Sequence, residues 1–147
     1  MNREIKFRVW FDKDSKEHNY ILEESKMEYD IEIDSKGRFL DIEGDWDIQD
    51  RFTIPIMQYT GLKDKNGVEI YEGDIVHIYA ENMVVRIGKF NDSKNEIFQG
   101  VFVDNCQKSP YDYRRGLEVC DLQKCKVIGN TYENPELLEE NREWMKN

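Results

Sequence analysis

The sequence predicts a mainly β protein, built of antiparallel hairpins and a small barrel with one C-terminal α-helix. Three observations predict it. Ile5, Phe7, Val9 and Phe11 alternate with Lys6, Arg8 and Trp10, the period of a half-buried strand. Runs of this kind are separated by Gly, Asn and Asp clusters, of which Asp64-Lys65-Asn66-Gly67 is the strongest hairpin signal, because Asn and Gly tolerate the positive φ that tight loops require. Helical spacing of apolar residues occurs at the C-terminal end, at Leu137, Leu138, Asn141, Trp144 and Met145.

The elements follow in order. After the first strand a weaker one at residues 18–22 is expected to complete a hairpin, with residues 23–26 polar. Tyr29, Ile31 and Ile33 then alternate with acids, Asp34-Ser35-Lys36-Gly37 turns, and residues 39–42 answer as the partner strand. Residues 52–59 are almost continuously apolar, as in a strand buried on both faces, and Pro55 places that strand at an edge, a bulge or a start. Thr60-Gly61-Leu62 is read as its end. Gly61, Gly67 and Gly73 each fall between strands, and Asp74 follows Gly73 where the next strand starts. Asp64, Asn66 and Asp74 join these glycines as a structural turn signature rather than a phosphate cradle.

Further strands are expected at residues 75–79, 83–87 and 97–103, with a turn at Glu81-Asn82. Residues 104–116 are expected to form a loop, followed by short strands at 117–119 and 126–128. Asn134-Pro135-Glu136 has the form of a helix start, with Asn as N-cap and Pro at the first helical position. The organisation is therefore an N-terminal hairpin region over 1–53, a barrel over 54–129 and a C-terminal helix over 130–147. That helix either docks on its own sheet or is offered to a partner.

At 147 residues the chain suits one compact domain and can bury a core without staples. Its formal charge of −10 opposes any function that coats nucleic acid by neutralising phosphates. The charge is uneven. Residues 1–60 hold nine Lys/Arg against fifteen Asp/Glu, while residues 61–129 hold ten against eleven. The middle of the chain therefore leaves room for a local basic patch. Three cysteines, Cys106, Cys120 and Cys125, cannot all pair. The amino-terminal residues carry charge throughout instead of the apolar centre of a signal peptide, and no apolar run approaches the ~18 residues of a membrane span. The expected compartment is the cytoplasm, with reduced thiols and no membrane contact.

Candidate chemistry is sparse. Asp41, Glu43, Asp45, Asp47 and Asp50 could offer oxygen ligands to a hard cation, but Gly44 is misplaced for an EF-hand loop, and a solvated strand end or loop with Trp46 and Ile48 pointing inward is the expected reading. Cys120 and Cys125 have a spacing that zinc permits, yet no second cysteine knuckle exists, so packing as small hydrophobes is the expectation. His18 and His77 are the sole histidines, and no P-loop, dinucleotide fingerprint, serine elbow or HExxH motif is present. The expectation is a non-enzymatic protein with no catalytic, cofactor-binding or metal-binding residues. Tyr59, Tyr71, Tyr79, Tyr111 and Tyr113 with Arg114 and Arg115 could stack on and contact single-stranded nucleic acid. The other class is a protein-interaction module. Tyr111, Tyr113, Arg114 and Arg115, in the loop-like segment, form the candidate interaction surface.

Four blocks carry a family resemblance: the opening IKFRVWF with DKDSK, then MQYTGLKDKNG, EIYEGDIV and the closing VIGNTYENPELL. In this order they resemble the YopX family of phage and prophage proteins, over most of the chain. Residues 23–46 and 104–125 match poorly. The resemblance implies a β-rich fold with an SH3-like small barrel in its C-terminal part, and a phage accessory protein made inside the host bacterium. It implies no activity, substrate or catalytic residue. The expected partner is a host or phage protein, with nucleic acid second and homo-oligomerisation open.

Overall fold

The computed structural model describes residues 5–13, 24–33, 39–40, 55–91, 96–105 and 114–138. They form a mainly β, wholly antiparallel arrangement of ten strands and one short helix. Two five-stranded sheets have the orders β3-β2-β1-β4-β5 and β10-β6-β7-β8-β9. The strands of residues 54–129 are thus divided between both sheets. The chain separates into two compact units, Met1–Tyr59 and Thr60–Asn147.

In the first unit β1 (Phe7–Phe11) lies between β2 (Lys26–Ile33) and the first half of β4 (Ile56–Lys63). It pairs with β2, with Phe7 opposite Ile31 and Phe11 opposite Lys26, and with β4, with Phe7 opposite Gln58; the strand expected at residues 18–22 lies outside the described residues. The physical reason is apolar reach: Ile31 joins Val9 and Phe11 in a buried cluster against which Phe7 and Ile56 pack. A register shift between Phe7 and Val9 marks a bulge. Arg8 is buried, its guanidinium 5.9 Å from the centre of the Tyr29 ring. β3 (Phe39–Leu40) pairs with the end of β2. The acidic run at residues 41–50 lies outside the described residues.

β4 does not end at Gly61. That glycine takes a φ of 85° inside the strand, and Thr60 spans the kink. Thr60 Oγ1 donates to the Ile70 carbonyl at 2.7 Å and accepts the Leu62 amide at 3.1 Å. A side-chain clamp thus continues a strand that local propensity would break.

The loop from β4 to β5 (Glu69–Tyr71) is built on Asp64, whose side chain is buried. Its Oδ1 accepts the amides of Asn66 at 2.8 Å and Val68 at 2.9 Å, while Gly67 supplies a φ of 79°. Its Oδ2 accepts the amide of Val127 at 2.9 Å, sixty-three positions away. Burial pushes the Asp64 carboxyl up, but these three backbone donors and the Lys65 charge outweigh it and hold the group below its ordinary value. Asp74 plays a similar local part, accepting the Tyr71 amide at 2.7 Å beside Gly73.

The second sheet carries the main core. β6 (Asp74–Ile78), β7 (Glu81–Asn91) and β8 (Ile97–Asp104) form successive hairpins, β9 (Arg114–Gly116) edges β8, and β10 (Lys126–Asn130) returns to β6. Ile70, Val76, Ile78, Met83, Val85, Val103, Leu117 and Cys125 bury one contiguous cluster, each large aliphatic member contributing about 1.5–3 kcal/mol. Two expectations fail here. Residues 114–116 are strand rather than loop, because their amides and carbonyls complete the β8 edge. The strand expected at residues 117–119 does not form, and Val119 instead opens helix α1 (Val119–Leu122), because Asp121 reaches back to accept the Glu118 amide at 2.9 Å.

Past β10, Thr131 donates to the Gly73 carbonyl and Asn82 Nδ2 donates to the Leu137 carbonyl at 2.8 Å, tying residues 131–137 to the β6–β7 hairpin. Asn134, expected as an N-cap, instead turns Oδ1 toward the Asn130 amide at 3.3 Å. It can do so because Gly129 has no Cβ; one there would stand 2.4 Å from Asn134 Oδ1. Residues 136–138 begin a helical turn, and Trp144 and Met145 lie outside the described residues.

Asp64→Asn should destabilise the fold at neutral pH by roughly 1–3 kcal/mol, since an amide NH2 would face a backbone donor. A depressed carboxyl contributes its full stability above its ordinary pKa and loses it as pH falls through the lower folded value. The difference between the two proteins in urea melts should therefore begin to shrink as pH drops below 3.8 and go on shrinking through the lower folded value. Gly67→Ala should cost about 1 kcal/mol by thermal unfolding, from positive φ alone, because nothing lies within 4 Å of the added methyl.

Candidate functional site: a cation-edged tyrosine corner

Ile78 pairs with Glu81, so the β6–β7 hairpin turns through just two residues, Tyr79 and Ala80. Their φ angles are 52° and 64°. A two-residue loop of this hand normally carries Asn-Gly, and each non-glycine residue held there costs on the order of 1 kcal/mol or more. The turn falls two residues earlier than Glu81-Asn82, which open β7. Nothing local to Tyr-Ala encodes it.

A tertiary contact holds the corner. The Tyr79 hydroxyl donates to Asp121 Oδ1, across 42 positions of sequence. Asp121 is 1% exposed and its other partners are the Arg115 guanidinium, at 3.1 Å to the same oxygen, and the Glu118 amide on Oδ2. That hydrogen bond, then burial, then the Asp121 charge push the Tyr79 phenol above its ordinary value, against the pull of Arg115. The ring remains 43% exposed. Arg115 lies 4.9 Å and the Lys124 ammonium 5.6 Å from its centre, an arrangement in which the ring quadrupole attracts both cations. The site is therefore an exposed aromatic edged by charge and anchored on a buried carboxylate.

The expected surface residues separate. Tyr111 and Tyr113 lie outside the described residues. Arg115 faces Val103 in the register and belongs to the tyrosine corner, whereas Arg114 faces Asp104 on the opposite side of the sheet. There Asp104 accepts both Arg86 at 3.2 Å and Arg114 at 3.5 Å. Of the other tyrosines, Tyr59 and Tyr71 are buried. Gly61, Asp64, Asn66, Gly67, Gly73 and Asp74 all occupy backbone-shaping positions. Sequence reasoning missed Asp121 and Lys124. The alternation Lys124-Cys125-Lys126 around one buried residue is the signal that could have found the cations, while no local pattern links Tyr79 to Asp121.

The cysteines split as well. Cys120 is exposed, whereas Cys125 is buried in the apolar cluster with its thiol pushed up to about 12, by burial first and then by the charges of Asp64, Asp121 and Asp74. Cys125 packs as a small hydrophobe; Cys106 lies outside the described residues. Ligand atoms of Glu118, Cys120 and Asp121 lie within 4.8 Å of one another, but both Asp121 oxygens are already engaged. His77 Nδ1 is 2.8 Å from Asn82 Oδ1.

Fold and site together define a small antiparallel β protein with a strained, charged aromatic corner. The chain belongs to the YopX family: the family described as YopX protein matches residues 6–139. It is also similar to the crystal structure of protein EF1440 from Enterococcus faecalis, at 25% identity over 94% of this chain and 100% of that chain, with a TM-score of 0.39. No curated protein matches the chain significantly. Among the described residues no helix is long and apolar enough to cross a membrane.

Ala80→Gly should raise stability by up to about 1 kcal/mol, the relieved φ exceeding the added chain entropy. Tyr79→Phe should instead lower the thermal midpoint, because Asp121 loses a donor. Scanning calorimetry of the two variants reads both signs.

Proposed function

We propose that the protein is a non-enzymatic phage or prophage accessory module that acts in the host cytoplasm by binding another protein, of the host or of the phage. The observation that carries this reading is the Tyr79–Ala80 corner: backbone strain is maintained at an exposed hairpin tip, where a relaxed turn would serve folding better. Strain of that kind has a use when a side chain must be presented in one orientation. The absence of catalysis is supported by how the buried carboxylates are spent. Asp64, Asp74 and Asp121 each accept backbone amides, which commits them to holding loops.

A second reading, single-stranded nucleic-acid binding, draws on the opposite sheet face. Phe98 is exposed and its ring centre stands 5.7 Å from that of Phe90, which stacks on Phe102 at 4.6 Å. An exposed ring on the same strand as Phe102 and Asp104, which face Arg86 and Arg114 in the register, has the composition of a stacking platform. Against it, Asp104 takes both arginines and the whole chain carries −10.

Immobilised full-length protein in host lysate should retain one protein partner regardless of nuclease treatment, and Tyr79→Ala should release it. Retention of oligonucleotide alone, weakening steeply with salt, would reverse the order of the two readings.

A further inference from the structure

We propose that Asn66 is a self-modifying site, converted by its neighbour Gly67 to aspartate and isoaspartate at a rate set by the Asp64 loop, and that conversion loosens that loop. The proposal goes beyond the protein-binding reading and does not depend on it.

The chemistry starts in the sequence. Of eleven asparagines, Asn66 alone precedes a glycine. A peptide nitrogen can attack the side-chain amide of the asparagine before it, and a side chain on the attacking residue hinders that approach. Gly67 offers no such obstacle: it is exposed, and nothing stands within 4 Å of where a Cβ would be. Asn66 is exposed as well, and its side chain enters no hydrogen bond among the described residues. By contrast Asn82, Asn105 and Asn130 are buried, and Asn134 precedes a proline, which has no N–H.

The step balances with water as the sole co-reactant. A solvent base takes the Gly67 amide proton, the nitrogen bonds to Asn66 Cγ, and the Cγ–Nδ2 bond breaks. Nδ2 takes up a proton and leaves as ammonia, which closes a cyclic imide. Water then opens the ring. Cleavage at Cγ gives aspartate, whereas cleavage at the Asn66 carbonyl carbon gives isoaspartate, whose main chain runs through Cβ and Cγ. No group is oxidised or reduced.

The folded loop restrains this reaction. The Gly67 amide donates to the Asp64 carbonyl at 3.0 Å, so the proton that must leave is engaged. The Asn66 and Val68 amides donate to Asp64 Oδ1 at 2.8 and 2.9 Å, which fixes the backbone on both sides of the Asn66–Gly67 peptide. Attack therefore waits on an opening of the turn, a local event that exposed loops undergo more readily than a core. Asp64 also holds Val127 through Oδ2. The clamp that seats β10 is the one that slows Asn66.

Conversion acts back on the clamp. The aspartate product places a second acid two residues from Asp64, and like charges in one loop repel. The isoaspartate product adds a carbon to a main chain pinned by the Asp64 amide on the Val68 carbonyl and the Gly67 amide on the Asp64 carbonyl. Neither product returns to asparagine, because the ammonia has left. The loop thus carries an irreversible switch that weakens its own grip on β10.

The test holds full-length protein at mildly alkaline pH and follows conversion by peptide mass spectrometry and by enzymatic methylation of isoaspartate. Native protein should convert at Asn66 while Asn82, Asn105 and Asn130 stay intact. Unfolding in guanidinium should raise the Asn66 rate at least about tenfold, because the turn is gone. Asp64→Asn should raise the native rate at least about threefold and leave the rate in guanidinium unchanged; the wild-type pair of rates stands on its own if that variant does not fold. Converted protein, separated by anion exchange, should melt below the unconverted protein. Equal native and unfolded rates would overturn the proposal, as would equal melting midpoints, or an intact native Asn66 after the unfolded chain has converted fully. Acceleration by Asp64→Asn that persists in guanidinium would also overturn it, by assigning the effect to the neighbouring side chain instead of the loop.

Discussion

The second unit hangs on one buried carboxylate. Asp64 closes its own loop through Oδ1 and, through Oδ2, fixes the amide of Val127 at the outer edge of β10. A hairpin alone is marginal in water; this one is joined to a strand sixty-three positions later by a charge-assisted bond in a water-poor setting, where such bonds are strongest. Lys65 adds a second rung by donating to the Cys125 carbonyl. With β10 thus seated, Gly73 can receive Thr131, and Gly129 can make room for Asn134.

What could be read from the sequence follows from how local its cause is. The β4–β5 turn is written in Asp64, Asn66 and Gly67 themselves, each supplying a conformation or an acceptor to its neighbours. The alternation in β1 and β7 reports strand but understates burial, since Arg8 and Val9 in β1 and Asn82 to Val85 in β7 are buried in succession on both faces. Residues 114–116 and 117–119 depart from expectation because their states depend on partners elsewhere: an open β8 edge for the first, and the reach of Asp121 to Glu118 for the second. Gly61 was misread for the same reason, since the clamp that carries β4 past it comes from Thr60 bonding to Ile70. The β6–β7 turn is the extreme case. Tyr79-Ala80 has no turn propensity, and its conformation is set by a carboxylate 42 residues away.

The candidate surface illustrates a further limit. Adjacent arginines read as one patch in a sequence, but a strand sends neighbours to opposite faces. Arg114 meets Asp104 and Arg115 meets Asp121, so half of the apparent patch is neutralised on a face that the other half never sees. The two cations that do meet, Arg115 and Lys124 at the Tyr79 ring, come from separate places in the chain. Charge spacing along a chain predicts proximity on a helix far better than across a sheet.

Gly88 and Gly100 face each other across the β7–β8 ladder with φ of 146° and 150°, values in the region reserved for glycine. A single rung made of two such residues is a crease. On one side of it the ribbon is locked into the core through Val85 and Val103; on the other it carries Ile97, 73% exposed, and Phe98. Phe90, on the outer side, is buried and stacks on Phe102 across the crease, so the outer ribbon is tied back to the core. Lengthening or shortening it by matched pairs of residues would keep every inward side chain on its proper face, whereas adding one residue to either strand would invert the faces beyond that point.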